Sequence, residues 1–378
     1  MKSWIWYFID RIFDPKIAES AGGVIQLPIF EMKEDEELKR LLPFIISMVL
    51  LVSLAGCTFT KELSKTESTL FAMNTYMTFT AHGENAETAL NESMEQIKML
   101  ESLWSVTGSE SEIYRANHSA GQTITVSQET AELISFALEM AEKTNGALDP
   151  TIYPLLTAWG FTTDAKQVPS DEEITTLLEY VGYDRIQLED KSLSVPDGME
   201  LDLGAVGKGY AADLVTEVLK EYGVESAIIS LGGNIQAIGS RPDGSDWRVG
   251  IRAPWEDGNL GVLEVSNAAV VTSGGYENYF EDEDGTVYWH IIDPVTGYPA
   301  NSGLQAVTII GDEGRLCDAL STALFVMGPE KAEEYWRENG GFDMLLVTDE
   351  NEIILTEGIA DNFTLSDGQD ETVRVLTS

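Results

Sequence analysis

Basic residues are scarce in this chain. Of 378 residues, 23 are Lys or Arg against 64 Asp or Glu, a formal net charge of −41. Phosphate backbones are bound by clustered cations, so no nucleic-acid partner is expected. The same reason argues against an anionic membrane surface as an electrostatic partner. The carboxylates describe a solvated surface, and a nucleotide site here needs local positive charge or a metal. Histidine is nearly absent: His82, His118 and His290 are all there is. No G-x-S-x-G and no H-E-x-x-H occurs, which argues against a nucleophile-elbow hydrolase and a zinc protease. The two cysteines, Cys57 and Cys317, allow neither a disulfide framework nor a cysteine metal site once Cys57 is otherwise engaged.

Long apolar runs are also few, and one carries information. Residues 41–55 follow Lys39-Arg40 and end in Leu54-Ala55-Gly56-Cys57. A basic flank, an apolar core and small residues before a cleavage point describe an export signal, too short to span a bilayer comfortably. A cysteine at that junction resembles the lipobox of bacterial lipoproteins. The expected organisation follows. Residues 1–56 are an N-terminal extension and lipoprotein signal peptide, with Met32 as an alternative start. Residues 57–68 are the lipidated Cys57 and a polar tether, 69–362 one catalytic domain, and 363–378 a frayed polar tail. The implied location is the cell membrane, lipid-anchored on its extracytoplasmic face.

Within the domain, apolar periodicity predicts helices over 85–104, 127–143, 170–180, 210–222, 318–327 and 330–339. Ser170 and Glu173 form a capping-box pattern. Strands are predicted over 71–80, 185–188, 192–195, 227–231, 247–251, 261–265, 269–272, 287–292, 306–310, 344–347 and 352–355. Hairpin-like strands with helices grouped between them indicate an α+β fold: mixed or antiparallel sheets with flanking helices in a single large domain.

Four stretches could carry chemistry. Leu201 to Tyr210 reads as a strand end, then Gly204, Gly207 and Gly209, then a helix. Such a turn lets backbone N–H groups approach a phosphate, with Asp202 and Lys208 adding one charge of each sign. It matches neither the dinucleotide fingerprint nor a Walker A loop, and an ordinary glycine turn explains it equally. His290 precedes a Pro- and Gly-rich turn, with Asp293 three residues on; strand geometry puts the two on opposite faces. A structural histidine is the competing reading. Asp318 and Thr322 share a helix face at i and i+4, an oxygen pair suited to a hard cation; a dipole-favoured aspartate is the alternative. The stretch 145–155, followed by Trp159-Gly160-Phe161, forms either a rigid wall for a flat ligand or a packing cluster.

Taken in order, Met73-Asn74-Thr75, residues 111–117, 146–161, 201–213, 231–234, Thr272 to Tyr276, His290 to Gly297 and Asp318 to Leu324 resemble the FAD:protein FMN transferase family of the ApbE type. These segments span most of residues 70–328. The resemblance implies an enzyme that uses FAD and Mg²⁺. It moves FMN onto a threonine hydroxyl of an acceptor protein through a phosphoester bond and releases AMP. By motif, the metal falls to the Ala205 carbonyl, Asp318 and Thr322, with Ser321 standing where many relatives have a further carboxylate. FAD contacts fall to Met73, Ala147, Leu148, Asp149, Asp202, Lys208 and Ile292. His290 is the candidate to take the hydroxyl proton or to assist the metal site, and Asp318 is the second catalytic group. Threonine-bearing acceptor proteins, such as membrane redox subunits, are the implied partners. Ser105-Val106-Thr107 departs from the family's Ser-Thr-Tyr. Two alternatives stay open: an FAD pyrophosphatase, and a non-enzymatic flavin-binding lipoprotein.

Overall fold

Polar side chains do not keep the N-terminal segment out of the sheet. In a computed structural model that describes residues 63–163, 165–369 and 371–378, strand β1 (Lys65–Ala72) pairs antiparallel with β2 (Thr75–His82). Residues 65–68, expected to be tether, are therefore strand; an edge strand with one face in water tolerates them. Met73 and Asn74, at φ 49° and 58°, make the two-residue turn that such a hairpin favours. This breaks the single strand expected over 71–80. The expected signal peptide and Cys57 lie outside the described residues.

The remaining elements follow in chain order. Helices α1 (Ala86–Trp104) and α2 (Glu112–Asn117) precede β3 (Ile124–Thr125), α3 (Gln128–Lys143), α4 (Tyr153–Ala158) and α5 (Asp171–Leu178). Then come β4 (Gln187–Glu189), β5 (Ser192–Ser194), α6 (Gly204–Glu221), β6 (Ser226–Leu231), β7 (Asn234–Ile238), β8 (Trp247–Arg252), β9 (Asn259–Val265) and β10 (Ala268–Gly274). The chain finishes with β11 (Tyr279–Glu281), β12 (Val287–Trp289), β13 (Leu304–Gly311), α7 (Gly314–Met327), α8 (Pro329–Asn339), β14 (Asp343–Thr348), β15 (Ile353–Thr356), β16 (Phe363–Leu365) and β17 (Val373–Leu376).

The main sheet has nine strands in the order β1-β2-β6-β7-β10-β13-β14-β15-β17. Every pairing in it is antiparallel except β15 with β17. Strand periodicity sorts its side chains onto two faces. Val271, Ile309, Leu346 and Ile354 join the core shared with the helices. Their neighbours Val270, Ile310, Leu345 and Ile353 pack with Val249, Ile251 and Leu263 of the small sheet β16-β9-β8. The result is an α+β fold: helices, then the large sheet, then a three-stranded sheet. A third apolar cluster centres on Leu155, Trp159, Ile174 and Ile292. Trp159 Nε1 donates to the Gly297 carbonyl at 2.9 Å, tying the aromatic stretch to the turn after His290.

Residues 363–378 are not a frayed tail. β16 pairs with β9, β17 runs parallel to β15, and Leu376 is buried. Their polarity reflects edge positions with one face in water. Ser170 caps α5 by accepting the Glu173 N–H, as its pattern predicts. No helix among the described residues is long and apolar enough to cross a membrane.

The glycine stretch is the main departure. Its helix begins at Gly204, so Gly207 and Gly209 lie inside α6 and not in a turn. A Cβ on Gly209 would stand 2.3 Å from the Gly314 carbonyl oxygen and 2.6 Å from Arg315 Cα. Glycine is required there because α7 crosses α6 backbone to backbone.

Candidate active site

A cavity of about 550 Å³ opens where the strand ends of both sheets meet the first turn of α6 and the face of α7. That volume suits a small-molecule ligand. The tight β6–β7 turn forms one rim: Gly232 and Gly233 take φ 63° and 98°, and a Cβ on Gly232 would collide with the Thr75 side chain. The turn delivers Asn234 to the wall, buried, with Nδ2 unpartnered.

Asp318 is buried on α7 and reaches the cavity. Its Oδ2 accepts the Gly209 N–H at 2.8 Å. In a regular helix that N–H serves the carbonyl of Ala205, which also lines the cavity. Burial pushes the Asp318 carboxyl up; the Lys208 charge, the Asn234 amide facing it and the N–H groups of Gly209 and Lys208 act in the opposite sense. Thr322, one turn further, lines the same wall.

Lys208 is the cation around which this end of the site is arranged. Its Nζ donates to the Gly204 carbonyl at 3.2 Å. Asp202 Oδ1 accepts the Gly204 N–H at 2.7 Å and so caps α6. Burial raises the Asp202 carboxyl, and the Gly204 N–H and Lys208 moderate this. His290 faces the same lysine. Burial first, and then the Lys208 charge, hold its imidazole down at about 4. It is therefore neutral at physiological pH. Its Nδ1 is buried without a hydrogen-bond partner, while its backbone N–H is held by the Asn278 carbonyl at 3.0 Å. Asp293 does not touch it. That carboxylate builds the next turn, accepting from Val295 N–H at 2.9 Å and the Thr296 hydroxyl at 3.1 Å.

The structure brings most of the expected residues together. Ala147, Leu148, Asp149, Asp202, Ala205, Lys208, His290, Ile292, Asp318 and Thr322 all line this one cavity. Asp149 has its carboxylate fully engaged by the protein, accepting the Thr151 N–H and hydroxyl at 2.8 and 2.6 Å and the Tyr183 N–H at 3.0 Å. It shapes the loop, leaving backbone and the neighbours Ala147 and Leu148 to face a ligand. Two expected residues are off the wall. Met73 sits in the β1–β2 turn, its N–H donated to Glu101 Oε1 at 2.6 Å. Ser321 is fully buried, donating to the Asp318 carbonyl at 2.9 Å and lying 2.8 Å from Ser273 Oγ. Ser321 sits at the edge of the face that Asp318 and Thr322 share, but these two hydrogen bonds hold its hydroxyl in the protein and off the cavity wall. His82 and His118 are not on the wall either; His118 stacks on Tyr114 at 3.9 Å.

Other lining residues escaped sequence reasoning. Arg252 lies over the Tyr276 ring at 4.8 Å, 3.9 Å from Glu277, and all three line the cavity. Tyr276 belongs to a stretch that carries the family resemblance, but nothing in the sequence near Arg252 marks it. Ser273 joins the wall to α7, 3.4 Å from Thr322 Oγ1.

The Ala205 carbonyl, Asp318 carboxylate and Thr322 hydroxyl form an all-oxygen donor set of the kind Mg²⁺ takes. No group of three or more His, Cys, Asp or Glu able to hold a metal occurs among the described residues. A Mg²⁺ ion here would thus lean on one carboxylate and complete its shell with water and ligand phosphates, which is its habit.

Comparison with known proteins identifies the family and the fold. The ApbE family model matches residues 73–346. An FAD:protein FMN transferase of Klebsiella pneumoniae is 36% identical over 266 residues, covering 69% of this chain and 82% of the relative. One from Treponema pallidum is 34% identical over 300 residues, covering 74% and 83%. Among solved structures, the ApbE protein of Thermotoga maritima superposes with a TM-score of 0.75 at 33% identity, covering 79% of this chain and 99% of its own. The apo flavinyl transferase ApbE of Pseudomonas stutzeri gives 0.72 at 31% identity, covering 81% and 98%.

Proposed function

The chain belongs to the ApbE family, and we propose that it is an FAD:protein FMN transferase. It moves FMN from FAD to a threonine hydroxyl of an acceptor protein and releases AMP. The observation that carries this reading is the meeting of Lys208, neutral His290 and the Asp318–Thr322 pair in one cavity. In an acidic chain, that is where a pyrophosphate finds positive charge and directed N–H groups.

The reaction exchanges the phosphoanhydride of FAD for a phosphoester to threonine. The threonine oxygen forms a bond to the FMN phosphorus while the bond from that phosphorus to the bridging oxygen breaks, and AMP leaves with the bond's electrons. The hydroxyl proton goes to His290, which is unprotonated at physiological pH. Lys208 neutralises phosphate charge, and cavity walls formed by Ala147, Leu148 and Ile292 hold the dinucleotide in line with the incoming hydroxyl. Mg²⁺, held by the Ala205 carbonyl, Asp318 and Thr322, supplies Lewis-acid stabilisation of the phosphoryl oxygens when bound.

The acceptors are threonine-bearing proteins, membrane redox subunits among them. The apolar run 41–55 and Cys57 support an exported, lipid-anchored enzyme on the outer face of the cell membrane. The test is direct. The purified protein, FAD, Mg²⁺ and a threonine-bearing acceptor domain should give an acceptor heavier by one FMN, with AMP in equal amount. AMP without acceptor mass gain would establish the pyrophosphatase instead, and flavin binding without AMP would leave only a binding protein.

A further inference from the structure

We propose that Asp213 is a positioning residue for Asp318, acting across the crossing of α6 and α7. The inference rests on the transferase reading for its functional meaning and on geometry for everything else.

Helix α7 carries Asp318 and Thr322, yet its N-terminus has no local cap: Glu313, at the N-cap position, makes no side-chain capping bond. The cap comes from the other helix. Asp213 Oδ1 accepts the Gly314 N–H at 2.6 Å, and Oδ2 accepts the Arg315 N–H at 3.1 Å. These are the first two orphan donors of α7. The charged oxygens also sit at the positive end of its dipole.

A reciprocal bond runs the other way. Asp318, one turn into α7, accepts the Gly209 N–H, one turn before Asp213 on α6. Between the two bonds the backbones touch. A Cβ on Gly209 would meet the Gly314 oxygen at 2.3 Å, and one on Gly314 would meet the Gly209 oxygen at 2.7 Å. Each helix thus lends a carboxylate to the other's backbone around a glycine–glycine contact. Slippage of α7 along α6 breaks the Asp213 cap and carries Asp318 away from Ala205 and Lys208 together. Asp213 lies outside the cavity and lines a separate surface recess, so it does not touch a ligand there and acts through the α6–α7 crossing.

The test replaces Asp213 by Asn, which keeps the volume but offers one acceptor for two donors, and by Ser as a smaller control. Hydrogen exchange at the Gly209 amide needs neither FAD nor metal. It should accelerate at least about tenfold in Asp213→Asn, with central-strand amides of the large sheet unchanged. With FAD present, the Mg²⁺ concentration at the midpoint of both thermal stabilisation and FMN transfer should rise about tenfold, and saturating Mg²⁺ should restore most of the maximal rate. A merely structural cap would lower stability and leave that midpoint alone. Unchanged Gly209 protection, or an unchanged Mg²⁺ midpoint, overturns the proposal. Loss of transfer in the wild-type protein instead overturns the functional reading, and the Gly209 exchange still decides the positioning.

Discussion

Two glycines in one helix should respond to alanine with opposite signs. A Cβ at Gly207 would lie 3.7 Å from Trp104, ordinary van der Waals contact. Alanine there gains its intrinsic helix preference, about 0.5–1 kcal/mol. At Gly209 the same Cβ meets backbone atoms of Gly314 and Arg315 at 2.3 and 2.6 Å, and backbone cannot rotate away. The helices must part by roughly 1 Å to reach contact distance. Overpacking of this kind costs about 1–3 kcal/mol; after the helix gain of about 1 kcal/mol, Gly209→Ala should be destabilised by up to about 2 kcal/mol. Equilibrium urea unfolding reads both as shifts in midpoint at unchanged slope. Gly207→Ala should move the midpoint up and Gly209→Ala down. Were Gly209 needed only for close approach of a phosphate, its alanine variant would keep or gain stability and lose nucleotide affinity alone. That result would refute the helix-crossing argument.

Other consequences bear on the chemistry. His290→Asn should retain FAD binding and lose FMN transfer by about 10²-fold or more, the usual size of a general-base contribution; calorimetric FAD binding and acceptor mass spectrometry separate the two. The histidine also affects stability. Its folded pKa of about 4 lies below the unfolded value of about 6.5. Between these values the unfolded chain binds more protons, so stability rises as pH climbs through that window. Asp213, raised to about 6 by burial, works in the opposite sense: stability falls as pH climbs from about 4 to 6. Unfolding midpoints across pH 4–7 should therefore rise less steeply in His290→Asn. Ser321→Ala should leave the Mg²⁺ midpoint of transfer within about twofold and cost about 1 kcal/mol for its lost hydrogen bonds; a large rise in that midpoint would make Ser321 a ligand after all.

The sequence alone determined the α+β class, most helices and strands, and most of the candidate residues that meet in one cavity. Periodicity is local, so a strand such as 226–231 or a helix such as 128–143 announces itself within its own length. Motif order, carried by Asp202, Lys208, His290, Asp318 and Thr322, pointed to a single site before any contact was known. Local reading failed wherever the partner was remote. Residues 65–68 and 373–376 look like tether and tail because their polarity suits an edge strand as well as a coil, and only pairing tells the two apart. Ser321 looks equivalent to Thr322 until burial and its bonds to the Asp318 carbonyl and Ser273 take up its hydroxyl. Gly209 looks like a phosphate-turn residue until Gly314, far along the chain, occupies the space its side chain would fill. Tertiary structure alone decided that contact, and with it the bond between Gly209 and Asp318. A glycine records only that room was needed, and the folded chain shows that the room was needed for a second helix.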